Sequence, residues 1–199
     1  MISDNLKWDK HVNFVYKKAV SRSYNIMKSF ATKNIWTLKK LFTTYIRPTV
    51  EYNTCVWSPY LKKDVYKIEC VQKQFTRWAF LRCGIPFTSY EDRLAKIGLQ
   101  SLEDRRIRSN LKLMFRIVYG LVDLKFDDFF CFNHSDYQLR GNRIKIFPKA
   151  RFSNTQWNGS FFVRGPKFWN VLPHDIVSSI TFQTFESKLN RFDFSKFHD

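Results

Sequence analysis

The chain has 199 residues, 44% hydrophobic and 18% aromatic, enough to enclose a core in one domain or in one domain with a small appendage. Its 34 Lys and Arg against 17 Asp and Glu leave a net charge of +17. Ten basic and two acidic residues fall within positions 1–50, so +8 of that excess lies in the first quarter. Such an excess points to a polyanionic partner, nucleic acid ahead of a membrane surface. A genomic bias toward A and T would raise Lys by itself, along with the abundant Asn, Phe and Ile; the arginines are harder to explain that way. No uninterrupted apolar run approaches the roughly 18 residues of a membrane span. Asp4 and Asn5 stand where the apolar stretch of a signal peptide would build, and Cys55, Cys70, Cys83 and Cys131 follow no repeating spacing. They read as reduced intracellular thiols.

Residues 8–30 form the clearest predicted helix, with Trp8, Val12, Val15, Ala19, Ile26 and Phe30 on one face and Lys10, Lys17 and Lys28 on the opposite one. Helical period continues from 33 to 57 through Ile35, Leu38, Leu41 and Tyr45. Pro48 lacks an N–H and crowds the preceding turn, which predicts a kink or break there. Asp64 reads as the N-cap of a helix over 65–81 that buries Val65, Ile68, Val71, Phe75 and Ala79 and turns Lys62, Lys73 and Arg77 outward. Cys83-Gly84-Ile85-Pro86 is a turn. Ser89 with Asp92 opens a short helix that Gly98 stops, and Ser101 with Asp104 opens the next, over 102–121. Its apolar face carries Ile107, Leu111, Met114, Val118 and Leu121. On the other side Arg105, Arg108, Lys112 and Arg116 form an unbroken basic stripe, which selection for helix stability alone would interrupt with carboxylates.

Past Gly120 the pattern loosens. Residues 122–158 read as an irregular insert with one short strand at Arg143–Phe147, and two helices follow, Phe161–Leu172 ended by Pro173 and Thr181–Phe192. The predicted fold is mainly α: an amphipathic helical bundle, divided into 1–82 and 83–199, with a short irregular or β-containing insert at 122–158.

Catalytic constellations are not found. Phe126-Asp127-Asp128-Phe129 holds the adjacent Asp pair, but two-metal chemistry needs further carboxylates in a strand context that the sequence does not supply, so it reads as a surface turn. Cys131-x-x-His134 has half of a zinc spacing and no second pair. There is no Gly-x-Ser-x-Gly and no glycine-rich phosphate loop, and His11 reads as a packing residue. No metal or cofactor is expected. Basic residues interleaved with aromatics remain, Lys73, Arg77 and Trp78, then Arg164, Lys167 and Trp169, with both tryptophans expected in the core.

Several segments together resemble one family. They are Leu6-Lys7-Trp8-Asp9-Lys10-His11-Val12; Leu41 to Tyr52 with Val56-Trp57; Ile68 to Arg77; Tyr90-Glu91-Asp92-Arg93-Leu94; Leu99 to Arg106; and Trp169-Asn170-Val171-Leu172-Pro173. In this order they are similar to the region that follows the polymerase active site in LINE-type (non-LTR) retrotransposon reverse transcriptases, and the similarity runs nearly end to end. It implies that residues 8–81 correspond to a thumb, which grips the template–primer duplex, and 89–192 to the helical segment beyond it. It also implies that the metal-binding aspartates belong upstream of Met1, on the palm, so that this chain is not itself an enzyme.

The expected function is therefore a non-catalytic fragment that binds RNA or an RNA–DNA duplex through basic helical faces: Lys10, Lys17, Lys28, Lys73, Arg77, Arg105, Arg108, Lys112 and Arg116. The alternatives are a helical module that docks onto a polymerase palm in cis or trans, or the inert product of a truncated element. If the stripe from Arg105 to Arg116 faces solvent, reversing its four charges weakens binding and spares the fold.

Overall fold

Amphipathic periodicity decides most of the backbone: the computed structural model, which describes residues 8–86, 88–132, 145–150 and 155–197, is mainly α-helical with a two-stranded sheet. The chain divides into two compact units, Met1–Arg106 and Ile107–Asp199. The division falls inside a helix, so the residues around 90–106 group with the first unit instead of parting from it at 82/83.

In the first unit, helix α1 (Asp9–Ser29) buries Val12, Val15, Ala19, Ser23 and Met27. The core stripe thus runs through Ser23, whose hydroxyl donates to the Ala19 carbonyl at 2.8 Å, and leaves Phe30 exposed. Helix α2 (Ile35–Leu41) is capped by Asn34, whose side chain accepts from the N–H of Trp36 and of Thr37. A π-helical turn over Phe42–Ile46 follows, then α3 (Arg47–Glu51) with Pro48 in its first turn. The predicted break is therefore a change of pitch. The wider turn ends just where Pro48, which has no N–H, can enter a new helix at a position that needs none. Asn53, in the left-handed region at φ 55°, ends that helix and leads into the single turn α4 (Thr54–Trp57); the Trp57 indole N–H donates to the Tyr52 carbonyl at 2.7 Å and fixes the bend.

Helix α5 (Lys62–Arg82) starts earlier than expected, and Asp64 lies within its first turn instead of capping it; its negative charge favours that end all the same. Ile68, Val71, Phe75 and Ala79 enter the core as predicted. Helix α6 (Tyr90–Ile97) is capped by Ser89, whose Oγ accepts from the Asp92 N–H at 3.0 Å, and ends at Gly98, φ 58°, where the Leu99 N–H returns to the Leu94 carbonyl at 2.9 Å. That αL closure favours glycine, which has no Cβ to strain there.

Helix α7 (Leu102–Val118) opens on an arrangement that sequence spacing does not show. Ser101 Oγ accepts from the Asp104 N–H at 3.0 Å, and Glu69 of α5, 8% exposed, accepts from the N–H of Leu102 and of Glu103, each at 3.1 Å. The same carboxylate accepts from the Tyr90 hydroxyl. Gln72, fully buried, donates to Tyr90 Oη and to the Gln100 carbonyl, each at 2.9 Å. Arg106 is enclosed beside this group; burial lowers its pKa while the charges of Glu69, Glu103 and Glu51 oppose that.

The second unit is built on the rest of α7, with Ile107, Leu111, Met114, Phe115 and Ile117 in its core. Helix α8 (Phe126–Phe129) is one turn, its Asp127 and Asp128 exposed. Strand β1 (Phe130–Phe132) pairs antiparallel with β2 (Ile146–Pro148), Cys131 opposite Phe147. The predicted strand at Arg143–Phe147 overlaps β2; positions 143 and 144 lie outside the described residues. After α9 (Thr155–Asn158), helix α10 (Phe161–Trp169) brings Gly165 against α7. A Cβ there would meet Met114 Sδ at 3.3 Å and Phe161 at 3.4 Å, so any larger residue would require those side chains to give by a few tenths of an ångström. The Asn170 side chain then pairs with both the N–H and the C=O of Ile146, at 3.0 and 2.8 Å, fastening the sheet. Helices α11 (His174–Val177) and α12 (Phe182–Arg191) complete the core; Phe185 and Leu189 are fully buried, and a 3₁₀ turn spans Ser195–Phe197.

Removing the Glu69 carboxylate leaves two helix N–H groups and the Tyr90 hydroxyl without an acceptor beside a buried guanidinium. Glu69→Ala is expected to cost about 3 kcal/mol in urea denaturation, and Glu69→Gln, which keeps one acceptor oxygen, less. Equal stability of Glu69→Ala and the parent chain would contradict this account of the α7 terminus.

Candidate nucleic-acid interface

The stripe on α7 is not a solvent face. Arg105 forms a two-point ion pair with Glu51, with Nη2 to Oε2 at 2.8 Å, and Arg47 Nε lies 3.8 Å from the same carboxylate. Arg108 is buried with its guanidinium 4.6 Å from the centre of the Phe194 ring. Lys112 pairs with Glu186, holding that carboxyl below its ordinary range. Arg116 is exposed but lies 4.5 Å over the Phe182 ring. The carboxylates missing from the helix itself are supplied by residues 51 and 186, distant in sequence. Charge reversal here therefore attacks packing and ion pairs within each unit, and the expectation that it spares the fold is withdrawn.

Arg164 is likewise internal: it is buried and donates to the Gly159 carbonyl, with Nη2 3.5 Å from Asn110 Oδ1. Trp169 is a core residue and Trp78 packs half-buried on the first core, as expected, while Lys167 is exposed. His11 packs edge-on against Trp57 with ring centres 4.9 Å apart, and burial lowers its imidazole pKa.

Helix α1 presents a different surface. Lys10, Lys17 and Lys28 are all exposed and make no ion pair among the described residues. Between them on the same ridge stand Phe14, 51% exposed, and Tyr24, 59% exposed. From Lys10, these positions fall at i+4, i+7, i+14 and i+18, so they stay within a narrow sector over about 27 Å of helix. Lys18 flanks the ridge, its Nζ 5.8 Å from the Phe14 ring centre. Arg22 belongs to the fold, donating to the Tyr45 carbonyl and to Thr49. Sequence reasoning placed the three lysines together but passed over Phe14 and Tyr24. The available signal was that both apolar residues lie off the core stripe.

On α5, Arg77 is exposed and Lys73 is half-buried, its Nζ 4.9 Å from the centre of the Tyr66 ring and 5.1 Å from that of Tyr90. Of the nine predicted contacts, then, Lys10, Lys17 and Lys28 share one ridge, Lys73 and Arg77 share a face of α5, and Arg105, Arg108, Lys112 and Arg116 are engaged within the protein.

Among the described residues no group of three His, Cys, Asp or Glu side chains could hold a metal ion, and no helix is long and apolar enough to cross a membrane. Cys131 is exposed on β1, and its notional partner His134 lies outside the described residues; the four cysteines form no disulfide.

Comparison with known proteins gives one relative of this chain, an uncharacterized protein of Caenorhabditis elegans, B0403.1, 29% identical over 115 residues. The matched stretch is 58% of this chain and 58% of that protein. No family model and no solved structure matches.

The Glu51–Arg105 pair offers a check on the internal assignment of the stripe. Its side chains are 23% and 30% exposed, so a double-mutant cycle with Glu51→Gln and Arg105→Gln is expected to give a coupling of about 1 kcal/mol. A coupling indistinguishable from zero would return Arg105 to the set of available surface charges.

Proposed function

We propose that this chain is a non-catalytic helical segment, of the kind that follows the polymerase core in LINE-type reverse transcriptases, and that it binds RNA or an RNA–DNA duplex along α1. The ridge of Lys10, Phe14, Lys17, Tyr24 and Lys28 supports this reading most directly. Lysines at these spacings neutralise phosphates as point charges and release condensed counterions, and exposed aromatic faces between them offer stacking to unpaired bases. Side chains with fixed paired donors and acceptors, which would read base edges, are absent from the ridge. Binding on this reading follows shape and charge, with phosphate contacts that position and carry no sequence information.

The resemblance also makes a polymerase palm the protein partner, in cis or trans. Tyr45, Tyr52 and Val56, large apolar side chains exposed from the π turn to α4, are the residues such a contact would cover.

Salt dependence tests the phosphate contacts. The logarithm of affinity for an RNA–DNA duplex is expected to fall linearly with the logarithm of salt, and replacing Lys10, Lys17 and Lys28 with Gln should make that slope shallower by roughly 3. The substituted positions are exposed, so the thermal midpoint should stay within about 2 °C of the parent. A slope that the triple substitution leaves unchanged would sink the α1 interface.

A further inference from the structure

A depression of about 320 Å³ lies on the first unit where α5 passes the start of α6, lined by Tyr66, Lys73, Arg77, Thr88, Tyr90 and Arg93 among others. Three of these side chains are cationic, and none of the residues lining the depression is acidic. Each cation is held differently. Arg93 is 6% exposed, donates to the Thr88 carbonyl at 2.7 Å and to Thr76 Oγ1 at 3.3 Å, and sets a fixed charge at the base. Arg77, one turn beyond Lys73 on α5, is exposed and makes no ion pair among the described residues. Lys73 stands between the rings of Tyr66 and Tyr90.

That placement of Lys73 is informative. Ring faces attract an ammonium weakly at such sites, yet they neither neutralise it nor take up its three N–H donors as a carboxylate would. The buried carboxylate nearby, Glu69, is engaged by the Tyr90 hydroxyl and by the first N–H groups of α7. Glu91 and Asp92, in the first turn of α6, are exposed and do not line the depression. A positioned, unneutralised ammonium beside two guanidinium groups suits a tetrahedral oxyanion carrying several acceptor oxygens. Tyr66, 60% exposed, borders the site with an aromatic surface on which a neighbouring base can stack.

We infer that this depression is a phosphate-ester seat, in which Lys73 and Arg77 hold one phosphate of a polynucleotide and Tyr66 takes an adjacent base. The seat rests on the reading that the partner is a nucleic acid, and it is separate from the α1 ridge in residues and in helix. An internal diester and a strand end both present such a phosphate; the chemistry of the seat is the same for both.

The test uses the full chain with a 12-nucleotide single-stranded RNA carrying either a 5′-phosphate or a 5′-hydroxyl, titrated between 50 and 200 mM salt. K73Q/R77Q is expected to weaken binding about tenfold and to make the salt slope shallower by about 1.4, two contacts at roughly 0.7 each. K73R, which keeps a cation between the two rings, should retain the parent affinity. A loss in K73R as large as that in K73Q/R77Q overturns the seat, since packing would then explain both. If K73Q/R77Q weakens both RNAs alike, the seat takes internal diesters; if it weakens only the 5′-phosphorylated strand, it takes strand ends. An unchanged slope in K73Q/R77Q, with a reduced one in K10Q/K17Q/K28Q, overturns the seat and keeps the ridge. The converse result keeps the seat and removes the ridge, and no binding by the parent chain removes both.

Discussion

The first unit depends on one buried carboxylate. Glu69 reaches from α5 to accept the first two N–H groups of α7 and the hydroxyl of Tyr90 on α6, so a single side chain fixes three helices. The terms are large because the groups are shut away from water: an amide left unpaired there costs about 1–3 kcal/mol, and a bond to a charged acceptor is worth roughly 1.5–3. Burial, then the Glu69 charge, push the Tyr90 phenol well above its ordinary pKa, so it remains a donor and the bond keeps one direction. Gln72 completes the arrangement by donating to the Tyr90 oxygen and to the Gln100 carbonyl just ahead of α7. The positive end of the α7 dipole favours the same carboxylate. Arg106, enclosed nearby, has its pKa lowered by burial, and the charges of Glu69, Glu103 and Glu51 oppose that desolvation in part.

Pairing inside each unit, of which Glu69 is one case, decides which positive charges remain for a partner. From sequence the arginines looked the more telling, because base composition can raise lysine without any function. The fold reverses that weighting. Arg93, Arg105, Arg106, Arg108 and Arg164 are drawn into carbonyls, carboxylates and rings inside their own units, work suited to a planar fork of donors on a weakly hydrated cation. Lys10, Lys17 and Lys28 stay in water, and the Lys73 ammonium lies against two aromatic faces. A strongly hydrated ammonium on a flexible stem costs more to bury, so it is left outside, where a polyanion can reach it.

What the sequence made legible was local. Ser89, Ser101 and Gly98 marked helix ends correctly because a cap involves residues within three or four positions of one another. Pro48 signalled a disturbance, but the remedy, a π turn upstream, depends on packing that periodicity does not carry. Asp64 failed as an N-cap because Leu61 already fills that role from an extended conformation, with its carbonyl accepting from the Val65 N–H at 3.0 Å. The α7 stripe misled for the opposite reason. Its partners Glu51 and Glu186 are separated from it by 54 and 74 positions, and a helical wheel cannot distinguish a solvated face from one that meets carboxylates elsewhere. The Glu69 cap, 33 positions from Leu102, was hidden for the same reason.

All but one of the segments that carry the resemblance, the exception being Trp169–Pro173, lie in the first unit, where they meet one another in space. Trp8 and His11 pack on toward Trp57; Glu51 of one motif pairs with Arg105 of another; Glu69, Tyr90 and Leu102 come from three. Such residues are constrained by each other, because changing one strands its partner in a buried setting. The ridge positions have no such tie. Phe14, Lys17, Tyr24 and Lys28 lie outside the motif segments, and Lys10 fills a place whose side chain points into water. The motif residues and the proposed α1 ridge thus overlap only at Lys10: the motif residues help to hold α1 against α3 and α5, and that packing sets three ordinary lysines and two exposed rings along one surface.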